Sequence, residues 1–512
     1  MGVSFCVMDI DSKDQPKFGK IRGMLFPICS SELRKFIPLA IIFLCISFVY
    51  SSVRMMKDTF MLANAPTETI YIVKTFIVLP MMVVFAIIYS MIAKKVGRDT
   101  RFNIVALYFI FSFLLSFFVL IPYSKELQLD SAAAYLNSIA PRFNGYWAII
   151  KYWHFVLFYF NAEAWGALML AVAFWSFANE ITSSKQAQRF YGFLSLGAAI
   201  GTTCAGILYK CQKITVLQNL GIICLVTIIM FITYNLMATD IKKHPEFYQI
   251  APKTKKTKIK LSMLESCKFL FKSKYLALLS MIVLGYNGFI SLFESMWKGT
   301  VQEVANSIVN MGGDKVAFLK SIYGNQSLFC GIAQLFFVLF ISSWVSNKSW
   351  KLAALFTPAI CLCGACIYTV FVNFQNHLGA ILPAINYPPL YYGVIVGLVV
   401  VILAKSAKYV FFDSTKERAY IPLDEESKIT GKAAIDSVGS RLGKSMGGLL
   451  VSILTPIFGG MSNIQSIITV AIFIVLTLWI YSVCALSGRY EQKLAEREAE
   501  AREAKNAQTE QV

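Results

Sequence analysis

The chain has 512 residues, 57% hydrophobic and 15% charged, with 48 Lys and Arg against 29 Asp and Glu. That balance excludes an ordinary soluble globule. An apolar run of about 18 residues is long enough to cross the hydrocarbon core as a helix, so the bilayer is the expected solvent.

The first 36 residues are polar, with Lys13, Lys17, Lys20 and Arg22. They lack the short apolar core and small-residue cleavage site of a signal peptide, so no removal is expected. Apolar spans follow near 37–54, 70–93, 103–122, 153–179, 190–210 and 217–238, with a long loop at 123–152. These six form an N-terminal half, 37–238. A basic linker, 239–274, leads to spans near 275–297, 322–345, 351–373, 391–413, 438–459 and 464–486, which form a C-terminal half, 275–486. Residues 487–512 are a charged tail, read as a solvated helix or extension. The fold class is therefore all-α, a polytopic membrane protein of about 12 transmembrane helices in two six-helix halves.

Loop charge sets the expected orientation, because Lys and Arg near span ends stay on the cytoplasmic side. Lys94, Lys95, Arg98 and Arg101 follow the second span, and Lys242 through Lys253, Lys255, Lys256, Lys258 and Lys260 follow the sixth. Loops 374–390 and 460–463 carry no Lys or Arg. Both termini are then cytoplasmic, and the net charge of +19 reads as topology. The tract at Lys253–Lys260 also has a nucleic-acid reading. Positive-inside charge touching anionic lipid already accounts for it, so no nucleic-acid partner is expected.

A duplicated transporter places similar devices at one separation. A shift of 242 residues carries Gly197, Gly201 and Ala205 onto Gly439, Gly443 and Gly447, two small-residue stripes suited to close helix packing. It also carries Glu163 onto Lys405 and places Lys57 one residue from Lys298. The second and eighth spans do not follow it.

Ionisable groups within spans cost several kcal/mol unless they face a partner, water or a substrate. Those remaining are Arg54, Lys57, Lys74, Glu163, Glu294, Lys298, Lys405 and Lys408. Lys405 and Lys408 share a helix face, and the excess of cations favours a multiply charged anion. Arg54, Lys57 and Lys298 have a second reading as snorkelling side chains at the interface. Trp165 and Trp297 lie beside Glu163 and Glu294, where they stack on a base or anchor the interface. A nucleotide suits a cationic, aromatic cavity.

Enzyme chemistry finds no support. Gly439-Ser-Arg-Leu-Gly443-Lys444-Ser445 is one residue too short for a phosphate loop and sits in a helical context. His154, His244 and His377 have no metal-ligand or proton-relay spacing, and Cys361, Cys363 and Cys366 read as packing residues. No metal and no cofactor are expected.

Several stretches together resemble the ATP/ADP translocases of plastids and obligate intracellular bacteria such as chlamydiae and rickettsiae. They are NAEAWGALMLAVAFWSFANEIT with AQRFY at 161–191, FESMWK at 293–298, and AKYVFFDSTKERAYIPLD with TGKAAIDSVGSRLGKSMGG at 407–448. The resemblance runs over about 18–490. It implies a major-facilitator-like arrangement and a nucleotide transporter of the bacterial inner membrane, acting as a monomer, most simply an ATP/ADP antiporter. The alternative within the family is proton-coupled net import of GTP, UTP or other nucleoside triphosphates. The family's charged positions fall on Lys74, Glu163, Glu294 and one of Lys408 and Lys416, of which the residue pattern prefers Lys408. Ala164, Ser176, Met446 and the run at 52–56 depart from the family pattern and bear on base choice and coupling. The expected mechanism binds phosphates on Arg54, Lys57, Lys74, Lys298, Lys405 and Lys408, with Glu163 and Glu294 pairing with lysines when the carrier is empty.

Overall fold

In hydrocarbon every backbone N–H and C=O must be satisfied within its own segment, and among the described residues the chain does this with helices and no strands. The computed structural model describes residues 28–29, 32–182, 184–245, 248, 273–341, 349–375, 377, 388–423, 431–432, 434–435 and 439–509. The N-terminal segment to residue 27, the tract Lys253–Lys260 and most of the 374–390 loop lie outside them.

The helices are α1 Leu33–Asn64, α2 Thr67–Lys95, α3 Arg98–Leu120, α4 Asp130–Ile139, α5 Asn144–Lys151, α6 Trp153–Ile181, α7 Ser184–Lys210 and α8 Val216–Lys243. They continue with α9 Lys274–Asn310, α10 Lys315–Ile341, α11 Trp350–Asn373, α12 Leu390–Ala407, α13 Ser440–Phe458 and α14 Gln465–Thr509. Among the described residues eleven are long and apolar enough to cross a membrane, and Leu442–Phe458 within α13 is a shorter apolar helix. The all-α, polytopic architecture expected from the sequence is present, with eleven such helices where about twelve were expected. Large apolar side chains such as Phe111, Leu236 and Phe340 stand exposed, as a lipid-facing surface requires.

Three expectations change. The loop at 123–152 contains α4 and α5, joined by Leu129 N donating to the Lys151 carbonyl at 3.3 Å and by a Lys151–Asp130 ion pair at 2.8 Å. That carboxylate raises the Lys151 pKa above its ordinary value. Only Cys361 of the α11 cysteines is buried, whereas Cys363 and Cys366 are exposed. The first and seventh spans do not end near residues 54 and 297, since α1 runs on to Asn64 and α9 to Asn310.

The described residues fall into two compact units. One draws on Met1–Lys57, Met82–Leu127 and Leu157–Lys255, and the other on Asp58–Met81, Gln128–Val156 and Lys256–Val512. Within the second, the Gln302 amide of α9 satisfies the backbone where α1 ends and α2 begins. Its Nε2 donates to the Leu62 and Ala65 carbonyls at 2.9 and 2.6 Å, and its Oε1 accepts from Thr67 N at 2.8 Å. Helix ends leave such groups without intrahelical partners, and Pro66 in the turn has no N–H to offer.

Each unit contains a close helix crossing in which a glycine faces backbone atoms of the neighbouring helix. A Cβ on Gly201 of α7 would lie 2.8 Å from the Leu44 carbonyl oxygen and 3.1 Å from Phe48 N of α1. A Cβ on Gly443 of α13 would lie 3.0 Å from the Leu284 carbonyl oxygen and 3.2 Å from Gly288 N of α9. The same pair of groups, four residues apart, is met in both units, which is what the 242-residue shift anticipates. Gly197 takes no part, with nothing near its Cβ position.

Gly443→Val or Gly201→Val should therefore destabilise the detergent-solubilised protein by about 1–3 kcal/mol, read as a lower thermal midpoint, whereas Gly197→Val should not. An unchanged midpoint for Gly443→Val would contradict this packing.

Candidate functional site

α9 carries the centre of the second unit. Lys298 is 3% exposed, and its Nζ lies 2.6 Å from Asp58 Oδ2. One turn earlier on the same helix, Glu294 Oε1 lies 2.5 Å from Lys405 Nζ of α12. Tyr71 of α2 is buried within electrostatic range of Glu294 and Asp58. Lys74 Nζ stands 5.5 Å from the Tyr71 ring centroid. Lys408 Nζ lies 3.9 Å from Asp413 Oδ2 and 6.0 Å from the Tyr286 ring centroid. Lys416, further along the chain, pairs with its neighbour Glu417 at 3.6 Å.

The first unit holds a second cluster. Lys57 is 1% exposed, with its Nζ 2.9 Å from Glu163 Oε1 of α6 and 3.7 Å from the Tyr159 ring centroid. A cation held over an aromatic face gains from the ring quadrupole, and more so when desolvated. Arg54 Nη1 donates to Tyr50 Oη at 3.1 Å, and the Tyr50 ring in turn packs where Gly166 offers no side chain.

The two lysine–carboxylate pairs have opposite polarity. In the first unit the lysine is on α1 and the carboxylate on α6. In the second the carboxylate is on α9 and the lysine on α12. Each pair has an indole hydrogen bond between the same two helices, from Trp165 Nε1 to the Ile46 carbonyl at 3.1 Å and from Trp297 Nε1 to the Val394 carbonyl at 3.0 Å. The accepting carbonyl lies eleven residues before the lysine in both cases, at Ile46 and Lys57 and at Val394 and Lys405. The sequence shift that matched Glu163 with Lys405 thus matched equivalent halves of two reversed pairs.

Widened π-helical turns accompany these residues. Val73–Val78 includes Lys74, Gly166–Ala173 begins directly after Trp165, and Lys408–Phe412 begins at Lys408. Such turns shift side-chain phase and loosen the i→i−4 ladder, and they recur at functional sites.

Two expectations are corrected here. Lys57 and Lys298 do not snorkel, because their helices continue well past them and both ammonium groups are buried and paired. Trp165 and Trp297 are fully buried, each with its indole N–H tied to a backbone carbonyl, so in this structure neither ring presents an open face for a base. Gly443 and Lys444 sit within helix α13, which is not the geometry of a phosphate loop. Asp58, Tyr71, Tyr159 and Gln302 were not singled out from the sequence. The run Arg54–Asp58 depresses hydropathy enough to end a predicted span early, which hid Asp58.

A family model, TLC ATP/ADP transporter, matches residues 11–490. The chain belongs to this family. It is 35% identical over 511 residues to ADP,ATP carrier protein 1 of Chlamydia muridarum, covering 94% of this chain and 95% of that one. It is 34% identical over 497 residues to ADP,ATP carrier protein 1 of Rickettsia prowazekii, covering 94% and 98%. Among solved structures, the POT family transporter PepTSo matches with a TM-score of 0.52 at 12% identity, covering 90% of this chain and 98% of that one. A bacterial metal transporter matches at 0.52 and 11%, covering 87% and 97%. These likenesses show a major-facilitator-type fold. As a member of the family the chain is a multi-pass membrane transporter and not an enzyme.

Breaking a buried pair leaves an uncompensated charge and costs about 3–5 kcal/mol. Glu294→Lys should accordingly lower the thermal midpoint sharply, and adding Lys405→Glu should recover at least about 1 kcal/mol by restoring opposite charges. Additive effects of the two substitutions would show that the pair is not coupled.

Proposed function

We propose that this chain exchanges ATP for ADP across the inner membrane of a bacterium living inside host cells, with both termini cytoplasmic. One observation carries the reading: the buried lysines Lys57 and Lys298 and the partly buried Lys405 are each held by a carboxylate. A polyphosphate is the kind of ligand that can take those lysines, because it brings more negative charge than one carboxylate and several acceptor oxygens. The naming of the relatives as ADP,ATP carriers supports adenine nucleotides as cargo. The positive residues Lys94, Lys95, Arg98, Arg101 and Lys242 support the orientation.

In this scheme Arg54, Lys74 and Lys408 supply further cationic contacts to phosphate, and Glu163 and Glu294 act as gates. When nucleotide leaves, the ion pairs re-form and hold the carrier where it is. Loading opens them and permits the six-helix halves 37–238 and 275–486 to exchange access by rigid-body motion. An empty carrier that cannot return makes transport an exchange. All the groups come from one chain, so the proposed functional unit is a monomer.

The test is uptake of labelled ATP, ADP, GTP, UTP and CTP into bacteria expressing the chain, followed by a chase with unlabelled nucleotide with and without a protonophore. Exchange predicts preference for ATP and ADP, rapid efflux on the chase and no effect of the protonophore. Label that is retained on the chase, with uptake that collapses with the protonophore, would establish proton-coupled net import instead.

Lys74→Gln and Lys408→Gln should each weaken competition by ATP roughly tenfold, the size of one lost charge-assisted contact, and weaken competition by AMP less. Equal losses for both nucleotides would remove these lysines from the phosphate site.

A further inference from the structure

Tyr71 is 2% exposed, and its hydroxyl has no hydrogen-bond partner among the described residues. Buried polar groups are normally paired, so a tyrosine where phenylalanine would fill the same space is unexplained by packing. Its surroundings are not apolar. Glu294 and Asp58 both lie in its electrostatic range, and Lys74 stands beside its ring. Both carboxylates are occupied, Glu294 by Lys405 at 2.5 Å and Asp58 by Lys298 at 2.6 Å. The position is also fixed. A Cβ on Gly448 of α13 would lie 2.6 Å from Thr75 Oγ1 and 3.6 Å from the Tyr71 carbonyl oxygen, so α13 closes directly on this stretch of α2.

These observations fit a donor that serves another state. We infer that Tyr71 is a positioning residue of the transport cycle, whose hydroxyl donates to the Glu294 carboxylate once nucleotide phosphate has taken Lys405. The inference rests on the phosphate-for-carboxylate exchange proposed above. A carboxylate that loses its lysine inside a low-dielectric site needs a replacement donor, and a phenol within its electrostatic range can supply one without adding charge. Tyr71 then stabilises the loaded state and leaves the empty one untouched.

The experiment compares the full-length protein with its Tyr71→Phe variant in detergent, by thermal midpoint without nucleotide and by ATP titration. The variant should have a midpoint equal to or above the unsubstituted protein, because the hydroxyl it loses has no hydrogen-bond partner among the described residues. Its ATP affinity should be weaker by about tenfold, as for one lost hydrogen bond to a charged group. ATP affinity within about twofold would overturn the inference, as would a midpoint that falls together with affinity, the mark of a purely structural tyrosine. If the unsubstituted protein binds no ATP, the underlying nucleotide reading fails and this inference fails with it. If it binds ATP and Tyr71→Phe binds equally well, the inference alone fails.

Discussion

A charge removed from water must find an opposite charge or a dense set of hydrogen bonds, and in this molecule that requirement organises the membrane interior. Lys57, Lys298 and Lys405 are placed where an unpaired ammonium would destabilise the fold by several kcal/mol, and each is answered by a carboxylate. Such pairs contribute little net stability compared with apolar residues of the same shape. In the proposed exchange their use lies in the transport cycle, where nucleotide phosphate competes for the lysines.

The two lysine–carboxylate pairs have reversed polarity. α1 brings a lysine to its partner helix and α9 brings a glutamate. The indole anchors follow the carboxylates, with Trp165 on α6 and Trp297 on α9. Each unit thus has, between the same two helices, an indole hydrogen bond and a lysine–carboxylate pair. In the proposed exchange the pair changes partners while the indole bond holds the helices together. Consecutive residues Lys57 and Asp58 extend the use of α1, the first pairing with Glu163 in one unit and the second with Lys298 in the other.

Much of this was legible in the sequence, because hydropathy and charge are what the bilayer selects on. The all-α multi-span architecture, the glycine stripe through Gly443 and the placement of Glu163, Glu294 and Lys405 within membrane helices follow from residue type and spacing alone. The ends of α1 and α9 did not, since the polar residues that make the site also lower the local hydropathy by which spans are found. Asp58 was lost for that reason. Trp165 and Trp297 misled in a different way, because an indole beside a carboxylate looks alike in sequence whether its N–H meets a ligand or a backbone carbonyl. Tyr71 carried no signal at all, since only its buried, unpartnered hydroxyl distinguishes it from other aromatic residues of α2.

The claim on which the rest depends is that carboxylates and nucleotide phosphates compete for the same lysines. Titrating ATP into the purified Asp58→Asn variant tests it directly, because the substitution removes a competitor without removing the lysine. Competition predicts that ATP binds more tightly than to the unsubstituted protein, by about tenfold for each 1.4 kcal/mol of lost competition, while adenosine binding is unchanged. ATP binding that is weaker or unaltered in Asp58→Asn would contradict the account.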